Sequence, residues 1–327
     1  MPLKIRSRVG AVRRRAGTLF IRATLTNLAR AGRLHPAGRA AMERVEVVRD
    51  VPYLGSGEAH HTLDVYRPKG ARGPLPTLLY VHGGGFTLLS KETHWMMGAL
   101  FAEMGFTVFN INYRLAPKYP FPAGIRDTFA AAAWIAENGP DYGADVSQWA
   151  VAGESAGGNL VTGLTLASCV RRPEPWARAL FDLELPIRAA LPSCGFLQVS
   201  DAERYGRIRP EMSALVADRM TNIALAYLDG MTGDCGLADP LVILEGLEGF
   251  ERPWPPTLVP CGDRDPVLDD SLRLESALTA LGASAETKIY EGGVHAFHAM
   301  FWRAPGPKCW DDMRTFLKTT MNLETPR

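Results

Sequence analysis

Residues 149–152 form a short apolar run that passes directly into Gly153-Glu154-Ser155-Ala156-Gly157, after which residues 158–170 carry a helical pattern. A strand that becomes a helix within so few residues brings its backbone close to itself, and glycines two before and two after Ser155 permit this. Ser155 is the only serine of the chain flanked in that way. The spacing is that of a sharp strand-to-helix turn that holds a serine hydroxyl above the end of a sheet strand. The apolar run 77–81 leads in the same manner into a second glycine-rich segment, His82-Gly83-Gly84-Gly85-Phe86. Short continuous apolar runs bounded by turns suit strands buried on both faces of a parallel sheet.

The rest of the chain keeps this rhythm. Strand patterns at 107–112, 188–191, 257–261 and 286–290 alternate with helical ones at 125–137, 272–281 and 310–318. The alternation predicts an α/β fold with a mostly parallel central sheet flanked by helices. Residues 45–53 and 62–66 alternate in polarity and are rich in β-branched side chains, as in an antiparallel pair at a sheet edge. Residues 1–40 read as helical until Gly32 and Pro36 break the run. Residues 200–230 fit the rhythm badly. They are helical in character, with Met212, Leu215, Val216, Met220 and Ile223 on one broad face, where a short crossover would suffice. The expected organisation is therefore a cap segment (1–45), a first part of the core (46–199), a cap insertion (200–230) and the remainder of the core (231–327).

A chain of 327 residues with 46% hydrophobic and 22% charged residues is ordinary for a globular protein, and a net charge of +1 gives no pull toward nucleic acid. That balance hides a basic N-terminal segment: Lys4, Arg6, Arg8, Arg13, Arg14, Arg15, Arg22, Arg30, Arg33 and Arg39, with no acidic residue before position 41. We read it as the solvated face of a helix covering the core, with contact to an anionic membrane surface as the competing reading. A secretory signal fits poorly, because Arg22 interrupts the apolar stretch 18–28 and no small-x-small cleavage site follows. Arg13-Arg14 alone is weak support for a twin-arginine signal. The five cysteines (Cys169, Cys194, Cys235, Cys261, Cys309) are scattered and lack C-x-x-C spacing. They point to a cytoplasmic setting without structural disulfides or zinc, with Cys194 and Cys261 as small buried hydrophobes at strand ends.

A serine hydroxyl is a weak nucleophile and needs a base within hydrogen-bond reach. Only His295 and His298 follow Ser155 in the chain. His295 emerges from the expected strand 286–290 through a short loop, at the end of the sheet where open α/β folds place their sites; His298 is expected to be packed or solvated. The orienting acid should come from Gly262-Asp263-Arg264-Asp265-Pro266, after the strand 257–261, and Asp265 is chosen. Asp269 and Asp270 are expected to cap the helix starting near Ser271, and Asp239 is set aside because no clear strand precedes it. The backbone N–H groups of Gly83, Gly84 and Ala156 are the expected oxyanion donors. His82 is expected to anchor its loop, and Glu154 to brace the turn by hydrogen bonding without transferring protons.

Taken in order, Leu63-Asp64-Val65-Tyr66-Arg67-Pro68, His82-Gly83-Gly84-Gly85-Phe86, Tyr113-Arg114-Leu115-Ala116-Pro117, Phe121-Pro122-Ala123, Gly153-Glu154-Ser155-Ala156-Gly157-Gly158, Asp265-Pro266 with Asp269-Asp270, and His295-Ala296-Phe297 form a specific set. The chain resembles the hormone-sensitive lipase-like esterases of the α/β-hydrolase superfamily from about Leu63 to His295. The resemblance implies the triad Ser155, Asp265 and His295, the residues the chemistry also selects, and a helical cap at the positions given above. Lys118 stands where relatives commonly carry glutamate, so a local salt bridge of theirs is absent or replaced here, and Glu154 where they often carry Asp or Thr. Residues 232–256 match poorly.

The leading reading is a serine carboxylesterase acting on a small-molecule ester through an acyl-enzyme, with no metal or organic cofactor, as a monomer or homodimer. Phe86, Leu88, Leu89, Trp95, Met96 and Met97, with Met212, Leu215 and Met220 from the cap, are candidates to line an apolar pocket for uncharged esters of short to medium acyl chain. The competing readings are an amidase or peptidase on the same triad and a ligand-binding homologue without catalysis, against which the retained His295 argues.

Overall fold

The computed structural model describes residues 29–231 and 233–323, with Ala23, Thr26 and Asn27 ahead of them. In chain order the elements are α1 (Pro36–Glu43), β1 (Val45–Pro52), β2 (Thr62–Pro68), β3 (Leu75–Val81), α2 (Trp95–Glu103), β4 (Thr107–Ile111), α3 (Ala123–Asn138), β5 (Ala144–Glu154), α4 (Ala156–Cys169), α5 (Pro175–Asp182), β6 (Ile187–Ser193), α6 (Arg204–Ile208), α7 (Ala214–Leu228), α8 (Pro240–Glu245), β7 (Thr257–Gly262), α9 (Leu268–Ala280), β8 (Ala285–Tyr290) and α10 (Gly306–Met321). The strands form one sheet in the order β1-β2-β4-β3-β5-β6-β7-β8. β1 and β2 are antiparallel to their neighbours at one edge, and the other pairings are parallel. This is the α/β-hydrolase architecture the sequence led us to expect, including the antiparallel edge.

Strand pleating divides the interior into two cores, because successive side chains point to opposite faces. Leu79, Val81, Phe109 and Val151 face α3, α4 and α9, whose Ile125, Phe129, Leu160, Leu164 and Leu274 are buried with them. Leu78, Tyr80, Val108 and Ala152 face α2 and α10, which bury Met97, Phe101, Trp310 and Met313. Three helices escaped the sequence pattern. α2 is buried on nearly every side, so it shows no polar face and no 3.6-residue period. α5 and α8 have 8 and 6 residues, too few for a periodic signal to develop. Among the described residues no helix is long and apolar enough to cross a membrane.

The basic run over residues 1–22 lies outside the described residues. Behind it, residues 29–34 are helical through Gly32, where a break was expected, the interruption falls at His35, and α1 begins at Pro36; Arg30, Arg33 and Arg39 are exposed. The Trp95 indole donates to the Ala29 carbonyl at 3.1 Å, so this segment packs on α2.

The turn between β5 and α4 depends on missing side chains. A Cβ on Gly157 would lie 2.0 Å from the Val81 carbonyl oxygen, and one on Gly153 would lie 2.5 Å from that of Gly157. Both neighbours are backbone and cannot swing aside. Gly157→Ala is therefore expected to destabilise the fold by at least about 1–3 kcal/mol in urea denaturation, the range for overpacking, with loss of activity. Gly249→Ala, where a Cβ meets nothing within 4 Å, is expected to stay within about 0.5 kcal/mol of the parent.

Candidate active site

Ser155 sits between β5 and α4 with φ 54° and ψ −116°. A non-glycine residue holds this backbone only where its surroundings fix it. Here the Ser155 N–H donates to the Ser193 carbonyl at 3.0 Å, and its own carbonyl accepts from the Phe196 N–H at 3.1 Å. Asn159, on the first turn of α4, donates to the Phe196 and Ala238 carbonyls at 2.8 and 2.9 Å. The turn is thus tied to the loops that follow β6.

The structure brings together the three residues chosen from the sequence. Ser155 Oγ is 2.9 Å from His295 Nε2, and His295 Nδ1 is 2.9 Å from both carboxylate oxygens of Asp265. Asp265 is fully buried, whereas the His295 side chain is 36% exposed, so the imidazole faces solvent on one side and its acid does not. Dehydration of the ring acts to lower the pKa of His295, but the Asp265 carboxylate and its hydrogen bond outweigh this and raise it above 6.5. A serine, an imidazole and a buried carboxylate in this order can transfer a proton from the hydroxyl to the ring and stabilise the resulting cation.

The loops carrying these residues are joined to one another. The Asp263 N–H donates to the Tyr290 carbonyl at 3.1 Å and the Arg264 N–H to that of Gly293 at 3.0 Å. Arg209, just after α6, donates to the Asp265 carbonyl and, at 2.9 Å, to that of Asp263. Asp270 does not cap α9. The helix begins earlier, at Leu268, and the Asp270 carboxylate is buried, pairing with Arg204 and accepting from Tyr205 Oη at 2.6 Å and the Leu197 N–H at 2.7 Å. Asp269 lies on the first turn and makes no cap hydrogen bond. Asp239, set aside as a triad member, accepts from the Ser200 N–H at 3.1 Å.

Beside Ser155 lies a buried cluster whose partners the sequence did not reveal. Glu154 Oε1 is 2.7 Å from His94 Nε2, and Oε2 is 2.9 Å from His298 Nε2. Burial pushes the Glu154 carboxyl up, yet His94 and His298 override it and hold the pKa well below the usual carboxylate range. Burial likewise opposes charge on His94, while Glu154 and the Ser90 carbonyl raise it above 6.5. His82, stacked on Tyr113 and His94, is driven down to about 3 by burial and then by His94, and stays neutral. Its carbonyl accepts from Tyr113 Oη at 2.9 Å. Arg114 forms a bidentate pair with Asp127, and Lys118 lies over the Tyr119 ring.

The pocket candidates divide. Phe86 is buried with its ring stacked 3.7 Å from that of Tyr227 on α7. Leu88 is buried and Leu89 half-buried on the same loop. A Cβ on Gly85 would lie 2.6 Å from Ile223 Cδ1, so α7 sits directly on the glycine loop. Trp95, Met96 and Met97 instead belong to the second core on α2, which removes them from the candidate lining. Met212 is half-buried against the first core. Leu215 is 79% exposed and is a correction: the inward face of α7 carries Met220, Ala224 and Tyr227, and Leu215 lies off it.

Among the described residues, Cys194, Asp265 and His295 are the one group with metal-ligand spacing. Asp265 and His295 are occupied with each other, and burial holds the Cys194 thiol protonated, with a pKa well above its usual value, so the set does not suit a metal. All five cysteines are buried and free, and burial pushes Cys169 and Cys309 up to about 12.

A family described as having the α/β hydrolase fold matches residues 78–299. A carboxylesterase of Mycobacterium tuberculosis is 32% identical over 238 residues, 71% of this chain and 70% of that protein. An acetyl esterase of Salmonella typhi is 30% identical over 68% of this chain and 65% of its own length. Among solved structures, an esterase of Mycobacterium marinum has a TM-score of 0.73 at 25% identity, covering 93% of this chain and 90% of that one. An esterase of the archaeon Pyrobaculum calidifontis has a TM-score of 0.71 at 26% identity, covering 92% and 93%. The chain belongs to the α/β-hydrolase fold family, within its hormone-sensitive lipase-like esterases. It is a carboxylic ester hydrolase.

The Glu154–His94 pair makes stability depend on pH in a defined direction. His94, raised above 6.5, contributes fully below that value and loses its contribution as pH rises through its folded pKa. Glu154, lowered below 4.5, contributes fully above that value and loses its contribution as pH falls through its folded pKa. The Tm difference between the parent and Glu154→Gln is expected to be largest between pH 4.5 and 6.5. It should narrow in thermal scans as pH rises above 6.5 through the folded pKa of His94.

Proposed function

We propose that this esterase works through a covalent acyl-serine intermediate on Ser155. The observation that carries the reading is the unbroken run of contacts from Ser155 Oγ to His295 Nε2 and from His295 Nδ1 to Asp265, each 2.9 Å. In it, the Ser155 oxygen attacks the ester carbonyl while His295 takes the hydroxyl proton. The N–H groups of Gly83, Gly84 and Ala156 hold the oxyanion that forms, a term worth roughly 2.7–4 kcal/mol per donor. His295 returns its proton to the departing alcohol. A water molecule, deprotonated by the same imidazole, then releases the acid and restores the serine. Asp265, buried and fixed by the Val267 N–H at 3.0 Å, keeps the ring oriented and stabilises its cation.

The substrates we assign are uncharged esters with short to medium acyl chains. Residues 200–230 serve as the cap that sets this limit: Ile223 rests on Gly85 and the Tyr227 ring covers Phe86, leaving little room above the oxyanion loop. The acetyl esterase among the relatives agrees with a short acyl group.

Ser155→Ala is expected to lower kcat about 10⁴-fold or more, and an organophosphonate should add its mass to the peptide containing Ser155. Unchanged ester turnover in that variant would refute the assignment. Because the base must be neutral and its pKa is raised, kcat/KM should climb with pH through an apparent pKa above 6.5. Initial rates on p-nitrophenyl esters should fall about tenfold or more between acyl chains of roughly four and sixteen carbons, a loss of about 1.4 kcal/mol in transition-state binding; equal rates would remove the proposed limit.

A further inference from the structure

We propose that Glu154 is a positioning residue that holds the oxyanion loop, the serine turn and the histidine loop in register through His94 and His298. The inference rests on the acyl-serine mechanism above and adds to it a group that touches neither substrate nor the reacting atoms.

The geometry is that of a three-way joint. Glu154 is the last residue of β5 and precedes Ser155, so its backbone fixes where the serine turn begins. Its carboxylate is buried and faces away along two directions. Toward the oxyanion side it meets His94 Nε2 at 2.7 Å, and the His94 ring stacks on His82, the residue that opens the loop containing Gly83 and Gly84. The same loop also rests directly on Glu154: a Cβ on Gly83 would lie 2.9 Å from both Glu154 Cγ and its carbonyl oxygen. Toward the other side the carboxylate meets His298 Nε2 at 2.9 Å, three residues beyond His295. One side chain therefore touches the segments that supply the donors, the nucleophile and the base.

The bonds of His94 give this joint its charge. Nδ1 lies 3.0 Å from Thr93 Oγ1 and 3.1 Å from the Ser90 carbonyl while Nε2 faces the carboxylate, so both ring nitrogens have oxygen partners and the carboxylate favours the protonated ring. A charge-assisted hydrogen bond in a buried setting is shorter and stronger than a neutral one. His94 is itself held firmly, since Asn110 Nδ2 donates to its carbonyl and to that of Lys91. Lys91 is anchored in turn by Asp50 and Asp64 at 2.7 Å each. The His94 arm is thus rigid, and the carboxylate that meets it sets the distance between the oxyanion loop and Ser155. Replacing Glu154 by glutamine removes the charge that the two histidine rings face at 2.7 and 2.9 Å and leaves one carbonyl oxygen in place of two carboxylate oxygens. The serine and its oxyanion donors then lose their common reference, and displacements of about 1 Å are enough to cost roughly a hundredfold in rate.

The test uses the full-length protein and the variants Glu154→Gln, His94→Asn and His298→Asn, with p-nitrophenyl acetate as substrate. Functional sites are first counted by organophosphonate titration of Ser155, so that misfolded molecules do not enter the rate. Per titrated site, kcat is expected to fall roughly 10–100-fold in Glu154→Gln with KM within about threefold of the parent. The affinity for a trifluoromethyl ketone, which mimics the tetrahedral adduct, should weaken in step with kcat/KM. The double variant His94→Asn/Glu154→Gln should be no slower than the worse single one, because both break the same link. A merely structural role would lower Tm or the number of titratable sites and leave kcat per site and ketone affinity within about twofold; that result overturns the proposal. Should Glu154→Gln not fold, His94→Asn and His298→Asn carry the same comparison, and kcat per site within about twofold in both refutes it. If the organophosphonate does not label Ser155 of the parent, the nucleophile assignment fails and this proposal falls with it; labelling with unaltered variants defeats this proposal alone.

Discussion

The left-handed backbone of Ser155 is the constraint around which the molecule is arranged. An L-residue keeps this conformation only when neighbours leave it no relaxed alternative, and two strands and a helix supply that confinement. β3 presses from one side, with the Val81 carbonyl occupying the space a Gly157 side chain would need. β6 holds the other side through Ser193. α4 leaves the turn with every one of its residues buried, so it cannot tilt to release the strain. The most buried part of the sheet therefore carries its most reactive residue, and the strain is offset by the packing of both cores.

Rigidity at the serine does not by itself align groups on other loops. The acid and histidine loops are zipped together by backbone hydrogen bonds and by the close contact of Gly262 with Gly293. Arg209 then ties the acid loop to the segment 200–230, while Arg204 and Tyr205 fasten the same segment to Asp270 on α9. The helices above the site and the acid below it share these anchors. Segment 200–230 thus meets the acid loop through Arg209, whose guanidinium donates to the Asp263 and Asp265 carbonyls.

The parts of the fold legible in the sequence are those with a strong local signal. Apolar runs ending in glycine gave β3 and β5, and the order of Ser155, Asp265 and His295 along the chain gave the three residues that lie within hydrogen-bond distance. The illegible parts fail for identifiable reasons. α2 has no polar face to reveal it, so Trp95, Met96 and Met97 look like free apolar side chains when they are core. Leu215 and Met220 differ by five residues, about 140° around a helix, and only one can point inward. The partners of Glu154 are 60 and, in the other direction, 144 positions away in the chain, and two isolated histidines carry no spacing signal. Asp270 resembles a helix cap in sequence because its true partners, Arg204 and Tyr205, come from a segment that folds back over α9.

The burial of every cysteine has a consequence for where such a protein can work. Thiol oxidation and exchange proceed through the thiolate and require access, and here neither is at hand: the sulfurs are enclosed and burial keeps them protonated. Cys194 lies close to Asp265 and His295 yet is shielded by the same packing. The chain is in this sense redox-indifferent. Its five cysteines form no disulfide that a reducing environment would break and offer no thiol that an oxidising one would readily convert, so the scattered cysteines place no demand on the surroundings.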